Sequence, residues 1–445
     1  MMARNRTEEN DVLASRRIDH AVVLGANGAM GYGSGALFTS AVPRVTFLAR
    51  AKDKADQGLK VAVNAVRSST VAHKVDTGDY GKDFDRAVAN ADLIFEALTE
   101  DFEVKRAMFE RVDALRKPGS IVATVTSGLS IDALGRGRSE SFRKHFLGLH
   151  FFNPPNVIVG TELVAGKDTD PGVVEFVDLY ARKKLGRVMV RTADTPGFAG
   201  NRVGFKVLNE VAQLAEEHGP VLVDRLVGPY TGRALAPLAT VDLVGWDIHR
   251  AIVDNIYKNA KDEAHATLAM PGYMIGLLEK GVLGTKSGGG FFKTENKVRL
   301  VLDPKTQGYR PVAEVKLPDL RFIDDVARLH RDGLYKEAMR AFVAAPGPWA
   351  DIARKVVAGY VSYAFHRAGE VTKGIAGIDD IMGFGFNWAP PSVLVDTIGV
   401  RETIAMIEAA GLPVPANLAA AAKTGASRRL YTNPHGNIGR FFVAG

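Results

Sequence analysis

The chain contains no cysteine among its 445 residues. Disulfides and thiolate-ligated metals are therefore excluded, and the composition fits a reducing, cytoplasmic setting. No run of about 18 apolar residues occurs, so no membrane-spanning helix is expected. The first residues lack the basic start, apolar stretch and small-residue cleavage site of a secretory leader. There is no dense Lys/Arg block, and the formal charge of +7 is spread along the whole length. A nucleic-acid footprint is not expected, whereas a mild positive charge suits an anionic substrate such as a CoA ester. With 46% hydrophobic and 24% charged residues, the chain reads as globular and long enough for two or three domains.

What is present changes character along the chain. Residues 1–19 are polar without clear periodicity and read as a flexible N-terminal extension. From His20 onward, short apolar runs read as strands: Ala21–Leu24, Val45–Leu48, Leu93–Ala97 and Ser120–Thr124, with Val188–Arg191 as the last. Phe102 to Leu115 carries helical spacing. This alternation predicts an α/β, Rossmann-type, doubly wound parallel sheet over residues 20–193.

Past Pro196 the pattern is helical. Val207, Leu208, Val211, Leu214 and Ala215 form one apolar stripe, with Asn209, Glu210, Gln213 and Glu216 facing away. Gly219 and Pro220 end that helix. A pattern then repeats. Val223-Asp224, Pro237, Val241-Asp242 and Gly245 recur as Ile378-Asp379, Pro391, Val395-Asp396 and Gly399, at offsets of 155, 154, 154 and 154 residues. Shared order and spacing favour duplication over chance. The expected layout is a first helical domain over 194–295, a connecting segment over 296–345 and a second helical domain over 346–445, both domains all-α.

Two constellations carry chemistry. Gly25-Ala26-Asn27-Gly28-Ala29-Met30-Gly31 follows the first strand directly. A strand, a glycine-rich turn and a helix offer backbone N–H groups and a helix dipole to a pyrophosphate, so these seven residues are expected to contact a dinucleotide. The second strand should end in an acid for the ribose of NAD. Here Leu48 is followed by Ala49 and Arg50. Arg50 could accept the 2′-phosphate of NADP, or it could stack on adenine or face solvent, so NAD and NADP both stand as cofactors. The second constellation is His150, followed twelve residues later by Glu162. A turn at Asn153-Pro154-Pro155 would return the chain and join an imidazole to a carboxylate, a pair able to move an alcohol proton. The bland reading is a core histidine and an unrelated surface glutamate.

The stretch Glu96–Arg202 resembles the L-3-hydroxyacyl-CoA dehydrogenases of fatty-acid β-oxidation. The likeness is strongest to the dehydrogenase part of bacterial multifunctional proteins with two copies of the C-terminal helical domain. It rests on Thr126-Ser127, His150-Phe-Phe-Asn153-Pro154, Glu162, Asp194-Thr-Pro196-Gly197-Phe and Asn201-Arg202. The glycine-rich Gly284-Thr-Lys286-Ser-Gly288-Gly-Gly290 resembles the end of the family's first helical unit. The resemblance implies an oxidoreductase that interconverts a 3-hydroxyacyl-CoA and its ketone. His150 would be the acid–base, oriented by Glu162. Ser127 and Asn201 would hold the substrate oxygen or the imidazole, and Asn153 would shape the substrate site. Glu100 and Lys105 would contact the cofactor or substrate. No hydratase domain follows Gly445, so the redox step alone is expected. A monomer is expected from the duplicated helical domain, with a homodimer as the alternative.

Three departures stand out. Val125 replaces the family's usual Asn before Thr-Ser, the ribose acid is absent, and the segment over residues 51–75 is short. The competing readings are a related dehydrogenase of a free hydroxy acid and a non-catalytic scaffold of the same fold. The β-hydroxyacid dehydrogenases with a catalytic lysine are a further alternative, but their lysine motif is not found here.

Overall fold

Eight short strands form one sheet: β1 (His20–Leu24), β2 (Arg44–Ala49), β3 (Val75–Asp79), β4 (Leu93–Glu96), β5 (Ile121–Thr124), β6 (Phe146–Phe151), β7 (Gly160–Ala165) and β8 (Val188–Thr192). The computed structural model describes residues 6–423, 429–433 and 440–442, and it divides into two units, Met1–Phe198 and Ala199–Gly445. Residues 1–5 of the expected extension lie outside the described residues. So do 424–428, 434–439 and 443–445 of the expected second helical domain.

The strand order is β3-β2-β1-β4-β5-β6-β7-β8. β1, β4, β5 and β6 are buried throughout, because helices cover both faces of the sheet and a near-continuous apolar strand suits that position. Phe38, Phe95 and Phe151 interlock on one face and Phe109, Phe142 and Phe146 on the other. β1 pairs with β2 on one side and β4 on the other. The strand order therefore reverses beside β1 and opens a crevice at the carboxyl ends of the strands.

Three expectations need correction. The sheet is not wholly parallel: β7 runs antiparallel to β6, and β8 follows β7. The connection from β6 to β7 has no crossover helix, so the chain simply turns back. The N-terminal extension is not loose throughout. Residues Arg6–Ala14 form a helix, Val12 packs against the core and Glu9 pairs with Lys183 at 2.9 Å. The second region is helical but not all-α. A three-stranded antiparallel sheet, β9 (Phe292–Glu295), β10 (Val298–Leu302) and β11 (Tyr309–Pro311), interrupts it. Two helices, Arg321–Arg331 and Tyr335–Ala344, complete the connecting segment.

The helix Gly200–His218 is the axis of the second unit. Val207, Leu208, Val211 and Ala215 are buried as their stripe predicts. Asn209 is buried too, contrary to its expected outward position. It donates to the carbonyls of Thr267 and Ala269 and meets His249 at 3.0 Å. A helix surrounded on most sides needs internal partners for such a group.

Candidate active site

The glycine loop binds tightly to its own frame. Gly25 has φ +82°, and a Cβ there would stand 2.3 Å from the Ala97 carbonyl oxygen. A Cβ on Gly31 would stand 2.2 Å from the Gly25 carbonyl oxygen. These two positions admit no side chain. Gly28 caps the helix Ala29–Phe38 without a side-chain cap, leaving the first-turn N–H groups to an external anion. Such a cradle fits a dinucleotide pyrophosphate.

The second half of the site is the β6–β7 hairpin. Strand register places His150 directly opposite Glu162. Cross-strand neighbours point to the same face, and Nδ1 of His150 lies 2.7 Å from Oε2 of Glu162. Glu162 is 0% and His150 4% exposed, so the surface-glutamate reading does not hold. With a carboxylate on Nδ1, that nitrogen carries the proton and Nε2 has the lone pair. The rings of Phe152 and Phe198 lie 4.9 and 5.9 Å from the imidazole and shield it from water.

A buried ionic chain lies behind the loop after β5. Glu96, at the end of β4, accepts from Lys105 at 2.8 and 3.0 Å and from the hydroxyl of Thr124. The Lys105 ammonium is 0% exposed and also sits 3.6 Å from Glu100. Glu100 in turn accepts from the Thr126 hydroxyl at 2.6 Å and the Ser127 N–H at 2.7 Å. Lys105 thus faces protein carboxylates, and Glu100 sets the position of Ser127. Asn153 is exposed in the turn after His150. Asn201 is buried in the first turn of the helix Gly200–His218 and belongs to the second unit.

Three residues here carry roles that the sequence reading did not assign. Glu96 is one, and a strand-end Glu with a Lys nine residues on was its only signal. Asp194 accepts from the Ser130 hydroxyl and from the N–H groups of Ile131 and Asp132, tying the Asp194-Thr-Pro196-Gly197 segment to the loop beyond Ser127. Arg187 donates to the carbonyls of Pro155 and Ile158, both at 3.0 Å. From the other side Gly33 faces Pro155, and a Cβ on Gly33 would stand 2.8 Å from its ring. The turn joining His150 to Glu162 is thus held between Arg187 and the helix Ala29–Phe38.

Comparison with known proteins agrees with this geometry. Residues 20–195 match the NAD-binding domain of 3-hydroxyacyl-CoA dehydrogenase and residues 197–294 match its C-terminal domain. A probable 3-hydroxyacyl-CoA dehydrogenase of Bacillus subtilis is 34% identical over 329 residues, which is 73% of this chain and 41% of that protein. The chain therefore spans less than half of that relative. One of the same description from Deinococcus radiodurans is 33% identical over 254 residues, covering 56% of this chain and 72% of that protein. The crystal structure of Escherichia coli 3-hydroxybutyryl-CoA dehydrogenase covers 92% of this chain and 99% of its own, at 21% identity and a TM-score of 0.69, a likeness of fold. Mycobacterium tuberculosis FadB2 matches at 27% identity and a TM-score of 0.57, over 63% of this chain and 100% of its own. On these matches, the chain belongs to the 3-hydroxyacyl-CoA dehydrogenase family.

Proposed function

We propose that the chain is an NAD(P)-dependent 3-hydroxyacyl-CoA dehydrogenase of fatty-acid metabolism, working in the cytoplasm. The observation that carries this reading is the buried 2.7 Å contact between His150 and Glu162, in the same sheet as the glycine loop. The nicotinamide, when bound, supplies or accepts the hydride at C3 of the acyl chain. His150 Nε2 removes the hydroxyl proton in oxidation and returns it in reduction. Glu162 holds the tautomer and stabilises the imidazolium. Ser127 donates to the substrate oxygen as its charge grows, Asn153 lines the substrate site, and Asn201 keeps the role that the resemblance implies, on the substrate oxygen or the imidazole. Arg50 and Glu100 join residues 25–31 on the cofactor side, while the buried Lys105 faces Glu96 and Glu100 and acts there only through Glu100. The test is acetoacetyl-CoA reduction followed by nicotinamide absorbance, beside a panel of free 3-keto acids. Reduction of the acids alone would move the assignment to a free-acid dehydrogenase.

The layout proposed is an extension over 1–19, a dinucleotide domain over 20–193, helical domains over 194–295 and 346–445 and a connector over 296–345. Support for duplication comes from matching hydrogen bonds. Asp224 accepts from the N–H of Leu238 at 2.7 Å and Asp379 from that of Ser392 at 2.9 Å. Asp242 accepts from the N–H groups of Phe291 and Phe292, and Asp396 from those of Leu430 and Tyr431. Gly245 and Gly399 adopt φ of +100° and +111° at matching helix ends. Arg233 pairs antiparallel with Trp388, and Ala234 N–H donates to Asn387. At the 154-residue offset these are each other's counterparts, as at a twofold axis. A second copy that supplies a partner's surface favours a monomer. Deleting residues 346–445 should uncover the buried face of the helix Gly200–His218 and give aggregates or dimers by sizing. A soluble, active, monomeric truncation would refute this.

A further inference from the structure

The crevice beside β1 ends at three segments locked together by backbone bonds. The N–H groups of Gly25 and Ala26 both donate to the Leu48 carbonyl at 3.1 Å. Gly25 N–H also donates to the Tyr80 hydroxyl oxygen at 2.8 Å, and Tyr80 N–H donates to the Ala49 carbonyl at 3.1 Å. The helix Lys52–Val66 closes on the same loop, since a Cβ on Gly58 would stand 2.2 Å from the Ala26 carbonyl oxygen. The glycine loop, the end of β2 and the residue after β3 are therefore one rigid frame, and Arg50 issues from it.

In this fold the residue at the end of β2 meets the 2′ oxygen of the adenine ribose. An acid there accepts from the free 2′-hydroxyl and repels a 2′-phosphate. This frame (Leu48, Ala49, Arg50, Ala51 and Tyr80) contains no carboxylate. The nearby acids have other partners: Asp56 is bound by Lys52 and Thr77, and Asp79 accepts from the N–H groups of Gly81 and Lys82. Asp53 is exposed in the first helical turn, where Lys54 follows it. Arg50 is exposed, and Ala51 caps its helix with no side-chain hydrogen bond; the Lys54 N–H turns back to the Ala51 carbonyl, so those of Lys52 and Asp53 remain for an external acceptor. Burial pushes the Tyr80 phenol up to about 12, which keeps it neutral and able to donate.

We propose that this chain selects NADP(H) over NAD(H), Arg50 and the uncapped first turn of the helix Lys52–Val66 receiving the 2′-phosphate. The inference rests on the dinucleotide reading of the glycine loop and departs from the family description, which names NAD. A guanidinium suits this role, because its planar fork matches phosphate oxygens and stays charged.

The test is equilibrium binding to the full chain without acyl substrate. Calorimetry compares 2′,5′-ADP with 5′-AMP, which differ by the 2′-phosphate, and fluorescence titration compares NADPH with NADH. The expected preference for the phosphorylated member of each pair is about 10-fold or more, falling with salt. Arg50→Ala should remove most of that preference while NADH affinity stays within about twofold, Arg50→Lys should keep part of it and Arg50→Asp should reverse it. NADH binding as tightly as NADPH, or Arg50→Ala weakening both alike, overturns the proposal and returns Arg50 to adenine stacking or solvent. If neither dinucleotide binds, the dehydrogenase reading falls as well.

Discussion

Buried carboxylates are handled differently in the two units. In the sheet unit, Glu162 and Glu96 are fully buried against side-chain partners, an imidazole and an ammonium. In the helical unit, Asp224 and Asp379 accept from backbone N–H groups and, among the described residues, have no side-chain cation as a hydrogen-bond partner. Burial pushes each of these aspartates up to about 7, and Asp242 up to about 6. A carboxylate with a titratable partner can stabilise charge made during a reaction. One that holds helix N–H groups fixes a chain turn and has no such partner. The two units thus differ in whether a buried carboxylate faces a titratable side chain or the backbone.

The largest effect expected is at the imidazole. His150→Ala should lower turnover by about 100-fold or more, with cofactor affinity near normal because the glycine loop is untouched. Glu162→Gln should lower it by about 10-fold or more, since an amide stabilises imidazolium less. Stopped-flow turnover beside cofactor titration checks both, and wild-type turnover in either variant would erase the contrast.

Arg187→Met sharpens it next. Loss of the two bonds to Pro155 and Ile158 frees the turn between the partners, and turnover should fall about 10-fold without a matching loss of cofactor affinity. Equal losses in turnover, cofactor affinity and melting temperature would mark Arg187 as merely structural.

The smallest effect is on stability and reads the aspartates. An acid whose folded pKa is raised favours the folded state below its unfolded value, and that contribution is lost as pH rises through the folded pKa. For Asp379 the window runs from about 4 to about 7. Asn cannot ionise, so Asp379→Asn should gain stability relative to wild type between pH 5 and pH 8, by on the order of 1 kcal/mol. His249 and His330 are pushed down by burial to about 3 and about 4. They lose stability as pH falls below about 6.5, so only the difference between variant and wild type isolates the aspartate. Denaturant unfolding at the two pH values measures it, and an unchanged difference would place Asp379 with the ionised group.

Much of this was legible in advance. β1, β2, β4 and β5 stand within a residue of their apolar runs, and the helix Phe102–Leu115 has the expected ends. Burial of both faces leaves such runs no other use. The glycine loop was readable because Gly25 and Gly31 admit no Cβ. The small sheet β9–β11 escaped notice, since its strands are short, mixed in polarity and joined by turns. Asn209 was misplaced because helical periodicity reports the average side of a helix, not how many neighbours surround it. Arg187 and Asp194 act mostly on backbone groups, and no side-chain pattern records such partners.

By itself the sequence determined which residue types could do chemistry, where the chain could turn and which runs had to be buried, because those follow from side-chain size, charge and backbone freedom. The antiparallel register decided that His150 and Glu162 meet. Packing decided that Lys105 faces Glu96 and Glu100. The locked frame at the end of β2 decided where Arg50 emerges. Each depends on distances between segments far apart in the chain, and only the folded backbone sets those.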